Sequence, residues 1–386
     1  MPPSRGGAAQ RCDHGLERTV DVDVTGSGGS GGAWSSGGSD GSGGARGSGA
    51  PSGSGGSSGP GGPGGHGGSS GSGGSSGSGS SSGEAEAMGV AVEVARRLGV
   101  PTAEVVEVAG GVANRAFRLG GELILRMPRE ERFAADLRKE VGVVPLARQA
   151  GVRTPAIVAE GVVHGAGGPS TPYVVTERVE GNDLADGAAG IEVWGELGRQ
   201  IALLHATARQ PIAGVPEDGS DRSTAVGELV ERGYLDAGTA DWLERWLDEL
   251  SSRFDLNAPQ VLLHGDLGRQ NVMVRAGRFQ ALIDWGDAAW GPRAMEFAKL
   301  RLQEVAQLLP SYRSAAAVRC ETGELEAEVL WFHLAWGVAN LKGPPRPGQR
   351  HWTASPASRM LGALRFLTSS PPEPWPGLIK KVDLWD

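Results

Sequence analysis

Cysteine is nearly absent: Cys12 and Cys320 are the only two in 386 residues. That excludes a disulfide framework and a Cys-rich zinc site. No apolar run approaches bilayer-spanning length, and the N-terminus lacks the apolar stretch of a secretory signal. The expected compartment is therefore the cytoplasm, with no membrane partner. Basic charge is in deficit as well, with 37 Lys and Arg against 45 Asp and Glu and a formal net charge of −8. A nucleic-acid binder would carry a basic patch, so nucleic acid is not an expected partner. The acidic balance is compatible with a cationic substrate, and equally with a surface that keeps the chain in solution.

One long stretch lacks almost everything except Gly and Ser. From about Thr25 to Ser82 there are scattered Pro and Ala and a few charges. Such a segment cannot bury enough apolar surface to offset its ordering entropy. The expectation is a disordered low-complexity tail over residues 1–83. What remains, about 300 residues, suffices for two lobes with cores. Met88 stands at this boundary and is a candidate start of translation.

Beyond the tail the patterning changes twice. Glu84–Leu98 has Val90, Val94 and Leu98 on one helical face, with Gly99 as the stop. Short runs at Val105–Ala109, Ala116–Leu119 and Leu123–Met127 are punctuated by Gly110-Gly111 and Gly120-Gly121, the pattern of an antiparallel meander. A helix over 132–150 and strands at Ile157–Glu160 and Tyr173–Val179 complete a small β-rich unit, residues 84–179. From 180 to 386 helices dominate. Glu192–Ala208 and Asp241–Leu250 are amphipathic, and Val272–Val274 with Phe279–Ile283 reads as a hairpin through Ala276-Gly277. Three helices close the chain, the last with Ser355 as N-cap and Pro356 as its first residue. The fold class is α+β, a small β-rich lobe followed by a larger helical one. The tryptophans at helical spacing read as core, His205 as a packed core histidine, and Glu217, Asp218 and Asp221 as a solvated loop.

The chemistry concentrates in Val261–Leu300. Asp266 is followed five residues later by Asn271, and Asp284 ends the hairpin's second strand. A hairpin between Asn271 and Asp284 brings both oxygen donors to one end of the sheet. Phosphoryl transfer needs such a set: a carboxylate that takes the acceptor's proton, and hard oxygen ligands that hold Mg²⁺ against phosphates.

These residues resemble the aminoglycoside phosphotransferase family, with its choline-kinase-like relatives, which shares the two-lobed protein-kinase-like fold. His264-Gly265-Asp266 with Asn271 matches its H-G-D-x-x-x-x-N loop, and Ile283-Asp284-Trp285-Gly286 its metal motif. The resemblance implies that Asp266 is the catalytic base, Asn271 and Asp284 are Mg²⁺ ligands, and His264 is a structural residue of the loop. The segment Gly110–Leu119 resembles the family's nucleotide-positioning loop, which adds Gly110, Gly111 and Asn114 to the nucleotide site. Arg126 stands where protein kinases have lysine, with Glu140 as its implied partner; the alternative for Glu140 is a surface charge. Tyr173–Gly181 resembles the interlobe hinge, with backbone groups near Glu177 and Val179 for adenine. Arg269 replaces part of a His-Pro-Gly found in many relatives and has two readings, a γ-phosphate contact or an exposed charge. Glu296 stands where relatives usually have Asp. The implied activity is transfer of the γ-phosphate of ATP, with Mg²⁺, to a hydroxyl of a small molecule. The alternative is a nucleotide-binding pseudokinase or regulatory module.

Overall fold

A computed structural model of the chain describes residues 79–108, 110–111, 113–164, 170–184, 190–217, 226–316, 323–342 and 356–379. The Gly/Ser tract up to Ser78, both cysteines, Ser355 and the Asp218–Asp221 stretch lie outside the described residues, whereas residues 79–83 of the expected tail are helical. The first helix, α1, spans Gly79–Arg97, so it starts ahead of the expected Glu84. Its Val90, Ala91, Val94 and Ala95 are buried, as one apolar stripe requires. Strands β1 (Val105–Val108), β2 (Asn114–Leu119) and β3 (Leu123–Pro128) follow as the expected meander. A short 3₁₀ turn leads into α2, Ala134–Gln149, which runs unbroken through Gly142 and Pro145. Strands β4 (Ile157–His164) and β5 (Ser170–Glu177) complete a five-stranded sheet of order β1-β2-β3-β5-β4, antiparallel throughout.

Phe117, Leu125, Met127, Tyr173 and Val175 from this sheet share one apolar cluster with α1. Val143, Val144 and Ala147 of α2 belong instead to the cluster of the larger lobe. Helix α2 is thus fixed to the larger lobe's core, which matters because it also carries Glu140.

The second lobe begins with β6 (Asn182–Asp183), then α3 (Ile191–His205), α4 (Val226–Glu231) and α5 (Ala237–Ser251). Asp236 caps α5, its carboxylate accepting the Thr239 N–H at 2.9 Å. Strand β7 (Val261–Leu263) leads into the His264–Asn271 segment, and β8 (Val272–Arg275) and β9 (Arg278–Leu282) form the expected hairpin. Strand β10 (Ala289–Gly291) pairs back onto β7. A 3₁₀ segment, Arg293–Lys299, precedes α6 (Leu302–Ala315), α7 (Glu324–Ala339) and α8 (Pro356–Leu367). The β7–β10 pair and α4 were not expected. Elements of three to six residues hold too few repeats for a period to show. Among the described residues no helix is long and apolar enough to cross a membrane.

His333 on α7 is held, half-buried, between two main-chain carbonyls. Its Nδ1 lies 2.9 Å from Val329 O and its Nε2 3.0 Å from Leu300 O. Burial, helped by the charge of Arg359, pushes the ring down from 6.5 to about 4, so it is neutral and donates to one carbonyl only. The unfolded ring takes up its proton as pH falls below 6.5, whereas the folded ring waits until about 4. Stability should therefore fall on acidification through that window, by about 3 kcal/mol from this group. Urea unfolding at pH 7 and pH 4.5 checks it: His333→Asn should lose distinctly less stability between the two than the wild type. Equal losses would assign the acid sensitivity elsewhere.

Candidate active site

The loop after β7 is shaped by a glycine that no other residue can replace. Gly265 has φ +78°, and a Cβ there would lie 2.0 Å from Asp287 O. This tight passage turns the chain so that Asp266 follows directly on buried His264. His264 stitches the loop to the neighbouring strand, since its Nε2–H donates to Ile283 O at 3.0 Å. Its Nδ1 accepts the Asp266 N–H at 3.3 Å. These partners define the tautomer. Glu296, fully enclosed in the 3₁₀ segment, accepts the N–H groups of His264 (2.6 Å) and Gly265 (3.3 Å). Burial alone would push the Glu296 carboxyl up. The His205 ring, its Nε2 3.6 Å from Glu296 Oε2, and the main-chain N–H of His264 hold it below the usual range.

Asn271 closes the loop from the other end. Its Nδ2 donates to both the main-chain O and Oδ2 of Asp266, each at 2.8 Å. With the amide nitrogen so used, its oxygen is the atom left to face a cation. The Ile283 N–H donates to Asn271 O at 3.1 Å, which brings Asp284, the next residue, alongside. Asp284 has φ +68°, a left-handed conformation that Asp tolerates better than most residues. Its side chain is 44% exposed, unlike that of Asp266 at 15%. Asn271 and Asp284 thus lie together at one end of the β8–β9 hairpin, and Asp266 joins them through its bonds from the Asn271 amide.

From the small lobe, Arg126 on β3 reaches across. It pairs with Glu140 of α2 through one nitrogen and lies 3.2 Å from Asp284 Oδ1 through the other. Glu140 is buried, not a surface charge. Gly110 and Gly111 precede β2, and only the first is in close backbone contact: a Cβ at Gly110 would lie 2.6 Å from Asn114 O, whereas one at Gly111 would meet nothing within 4 Å. Arg129 ties this turn to β3, its N–H donating to Ala113 O at 2.8 Å and its Nε–H to Gly111 O at 3.1 Å. At the hinge, the Glu177 N–H donates to Ala156 O (3.0 Å) and the Arg178 N–H to Glu122 O (2.6 Å). Val179 is the next backbone position after these two engaged donors. Glu177 and Val179 also border a cavity of about 550 Å³ shared with Arg148, Arg153 and Gln280. None of Asp266, Asn271, Asp284 or Arg126 lines it. The Arg269 side chain is neither exposed nor beside Asp284's partners. Its guanidinium lies 3.5 Å from Glu304 Oε1 and 5.8 Å from the Trp194 ring centroid, inside the larger lobe.

Two contacts escaped the sequence reading. Lys299 Nζ lies 2.7 Å from Asp266 Oδ1 and 3.2 Å from Asp287 Oδ2. The signal was a lysine set between the buried Ala298 and Leu300, but no motif marks it. Trp285, buried at 1% exposure, donates from Nε1 to Thr154 Oγ1 at 2.9 Å and packs at a tilt against the His264 ring, with centroids 4.5 Å apart. Burial pushes the Asp266 carboxyl up, and the charge and hydrogen bond of Lys299 partly oppose that.

A small antiparallel lobe with a strand arginine paired to a helix glutamate, set against a helical lobe whose loop and hairpin supply Asp266, Asn271 and Asp284, is a protein-kinase-like fold. Residues 104–329 match the model of the phosphotransferase enzyme family, and the chain belongs to that family. No curated protein matches the sequence. Among solved structures, the GDP complex of wild-type aminoglycoside 2′-phosphotransferase IIIa is similar, with TM-score 0.50 and 22% identity. The match covers 68% of this chain and 91% of that one. The GDP complex of a point mutant of that enzyme matches with TM-score 0.51 and 20% identity, over 69% and 93% of the two chains. At such identities the likeness speaks for the fold.

Glu296→Ala leaves two main-chain N–H groups unpaired in the core. Bonds to a charged acceptor are worth about 1.5–3 kcal/mol each, so the variant should lose about 3–5 kcal/mol of stability. Denaturant unfolding measures it, and a loss below about 1 kcal/mol would mean that the loop does not hang on this carboxylate.

Proposed function

We propose that the chain transfers the γ-phosphoryl group of Mg·ATP to a hydroxyl of a small molecule. The observation that carries this reading is the Asp266 carboxylate, held on both oxygens beside the oxygen donors of Asn271 and Asp284. A pure nucleotide binder has no use for such a base.

The donor set suits Mg²⁺. Asn271 offers its amide oxygen and Asp284 a half-exposed carboxylate, both hard ligands. Among the described residues no group of three or more His, Cys, Asp or Glu is arranged to hold a metal alone. Mg²⁺ characteristically takes one or two protein oxygens and completes its shell with phosphates and water. Bound there, it would neutralise phosphate charge. Arg126, fixed by Glu140, is aimed at the same region and adds a second positive charge. The Gly110–Gly111 turn offers main-chain N–H groups to phosphate oxygens, and Glu177 and Val179 are assigned to adenine.

Asp266 orients the acceptor hydroxyl and receives its proton as the oxygen–phosphorus bond forms and ADP leaves. Little covalent work falls to the protein, so positioning and charge neutralisation supply most of the acceleration. The aminoglycoside enzyme named above was seen with GDP. An acceptor of that class and a choice between ATP and GTP are therefore the first to try, in a nucleotide-consumption screen over aminoglycosides, other antibiotics and small alcohols.

With an acceptor in hand, Asp266→Asn should lower kcat by about 10²–10⁴-fold with little change in the KM for ATP. Asn is nearly isosteric and cannot take the proton. Turnover within tenfold of wild type would remove the base assignment. Independently of any acceptor, Asp284→Ala should weaken Mg·ATP binding by calorimetry while leaving metal-free ATP binding little changed. Unaltered Mg·ATP affinity would put the metal elsewhere.

A further inference from the structure

Beside the catalytic carboxylate stands a cation that the catalytic loop itself does not supply. After Asp266 the loop continues with buried Leu267, then Gly268, which has no side chain, then Arg269, whose guanidinium is turned to Glu304 and Trp194. The ammonium at 2.7 Å from Asp266 Oδ1 comes from Lys299, 33 residues further along.

The setting of Lys299 is built. It ends the 3₁₀ segment Arg293–Lys299, the same segment that carries Glu296. Its neighbours are tied on both sides: Arg359 donates to Ala298 O, and Leu300 O lies 3.0 Å from His333 Nε2. A flexible side chain thus rises from a fixed backbone. It is 14% exposed and runs between two carboxylates, Asp266 and Asp287. Without the ammonium these two would repel each other across the loop. Burial by itself would lower the Lys299 ammonium, but the charges of Asp266 and Asp287 raise it, so it stays charged.

The consequences for Asp266 are geometric. Asn271 Nδ2 holds Oδ2 and Lys299 Nζ holds Oδ1, from opposite ends of the carboxylate. One contact would leave the group free to rotate about χ2, and two define its plane. We propose that Lys299 is a positioning residue of the transfer reaction, its ammonium locking the Asp266 carboxylate in the plane that meets the acceptor hydroxyl. This inference rests on the reading of Asp266 as the base, and concerns a residue which that reading does not need.

The test uses the full chain with Mg·ATP and water as the acceptor, following ADP release at high enzyme concentration, in Lys299→Met, Lys299→Arg and Asp287→Asn. A catalytic group displaced by about 1 Å costs on the order of a hundredfold, so Lys299→Met should lose about ten- to a hundredfold in kcat. Its KM for ATP and its Mg·ATP affinity by calorimetry should stay unchanged. Lys299→Arg, which keeps a charged donor, should recover most of the rate. Asp287→Asn is at an exposed side chain outside the core and should fall by a smaller factor, because Lys299 loses its second anchor. This variant keeps the question open to measurement if Lys299→Met does not fold. Wild-type kcat in Lys299→Met, a Lys299→Arg as slow as Lys299→Met, or an unchanged rate in Asp287→Asn would each overturn the proposal. So would a loss of Mg·ATP affinity in parallel with the rate, which would make Lys299 a nucleotide-site residue. A wild-type chain that consumes no nucleotide with water or with any acceptor would remove the phosphotransfer reading itself, and this inference with it.

Discussion

Two main-chain N–H groups, those of His264 and Gly265, point into the core and meet one carboxylate there. A buried donor without a partner is costly, so the position of Glu296 decides where the catalytic loop can lie. The loop in turn sets Asp266 through Gly265, whose backbone passes against Asp287 O with no room for a side chain. His264 then carries the constraint sideways to Ile283 O, and so to the residue before Asp284. A single buried acid thereby sets the spacing between Asp266 and Asp284. The Glu296 carboxylate makes both main-chain bonds, at 2.6 and 3.3 Å.

The two lobes meet in the same currency of charge and hydrogen bonds. Arg126 on the small-lobe sheet touches Glu140 on α2 and Asp284 on the large lobe. Helix α2 contributes its apolar face to the large-lobe core, so the arginine's partner is fixed relative to that core and not only to its own sheet. Lys139, one residue earlier, donates to Gly286 O at 2.6 Å, a second tie to the metal loop. Arg126 and Asp284 are therefore braced from α2, and Asp266 from the 3₁₀ segment before α6.

What the sequence disclosed and what it hid follow from range. The meander, α2, α3, α5 and the β8–β9 hairpin announce themselves because each holds several turns or alternations of an apolar pattern. The Asp266–Asn271 and Asp284 pairing is legible because both motifs are short and lie on one hairpin. Strand β7 with β10 is not, since three residues carry no period and the partner lies a whole hairpin away. Lys299 is hidden for the same reason: its meaning depends on Asp266 and Asp287, which only folding brings near. Arg269 shows the converse error. Its place in the loop suggests phosphate or solvent, but Glu304 and Trp194, on α6 and α3, draw it inward. Glu140 is an exposed charge or a buried partner by sequence alone, and a single distant arginine settles which.

Trp285 gives the molecule an optical reporter at its centre. The indole is shielded from water, hydrogen-bonded to Thr154 in the segment between α2 and β4, and set against the His264 ring of the catalytic loop. Indole emission responds to polarity and to neighbouring dipoles, so its spectrum registers any relative movement of those two segments. The other tryptophans dilute the signal, but subtracting the emission of a Trp285→Phe chain isolates it. Such movement can then be followed in real time without a label attached to the protein.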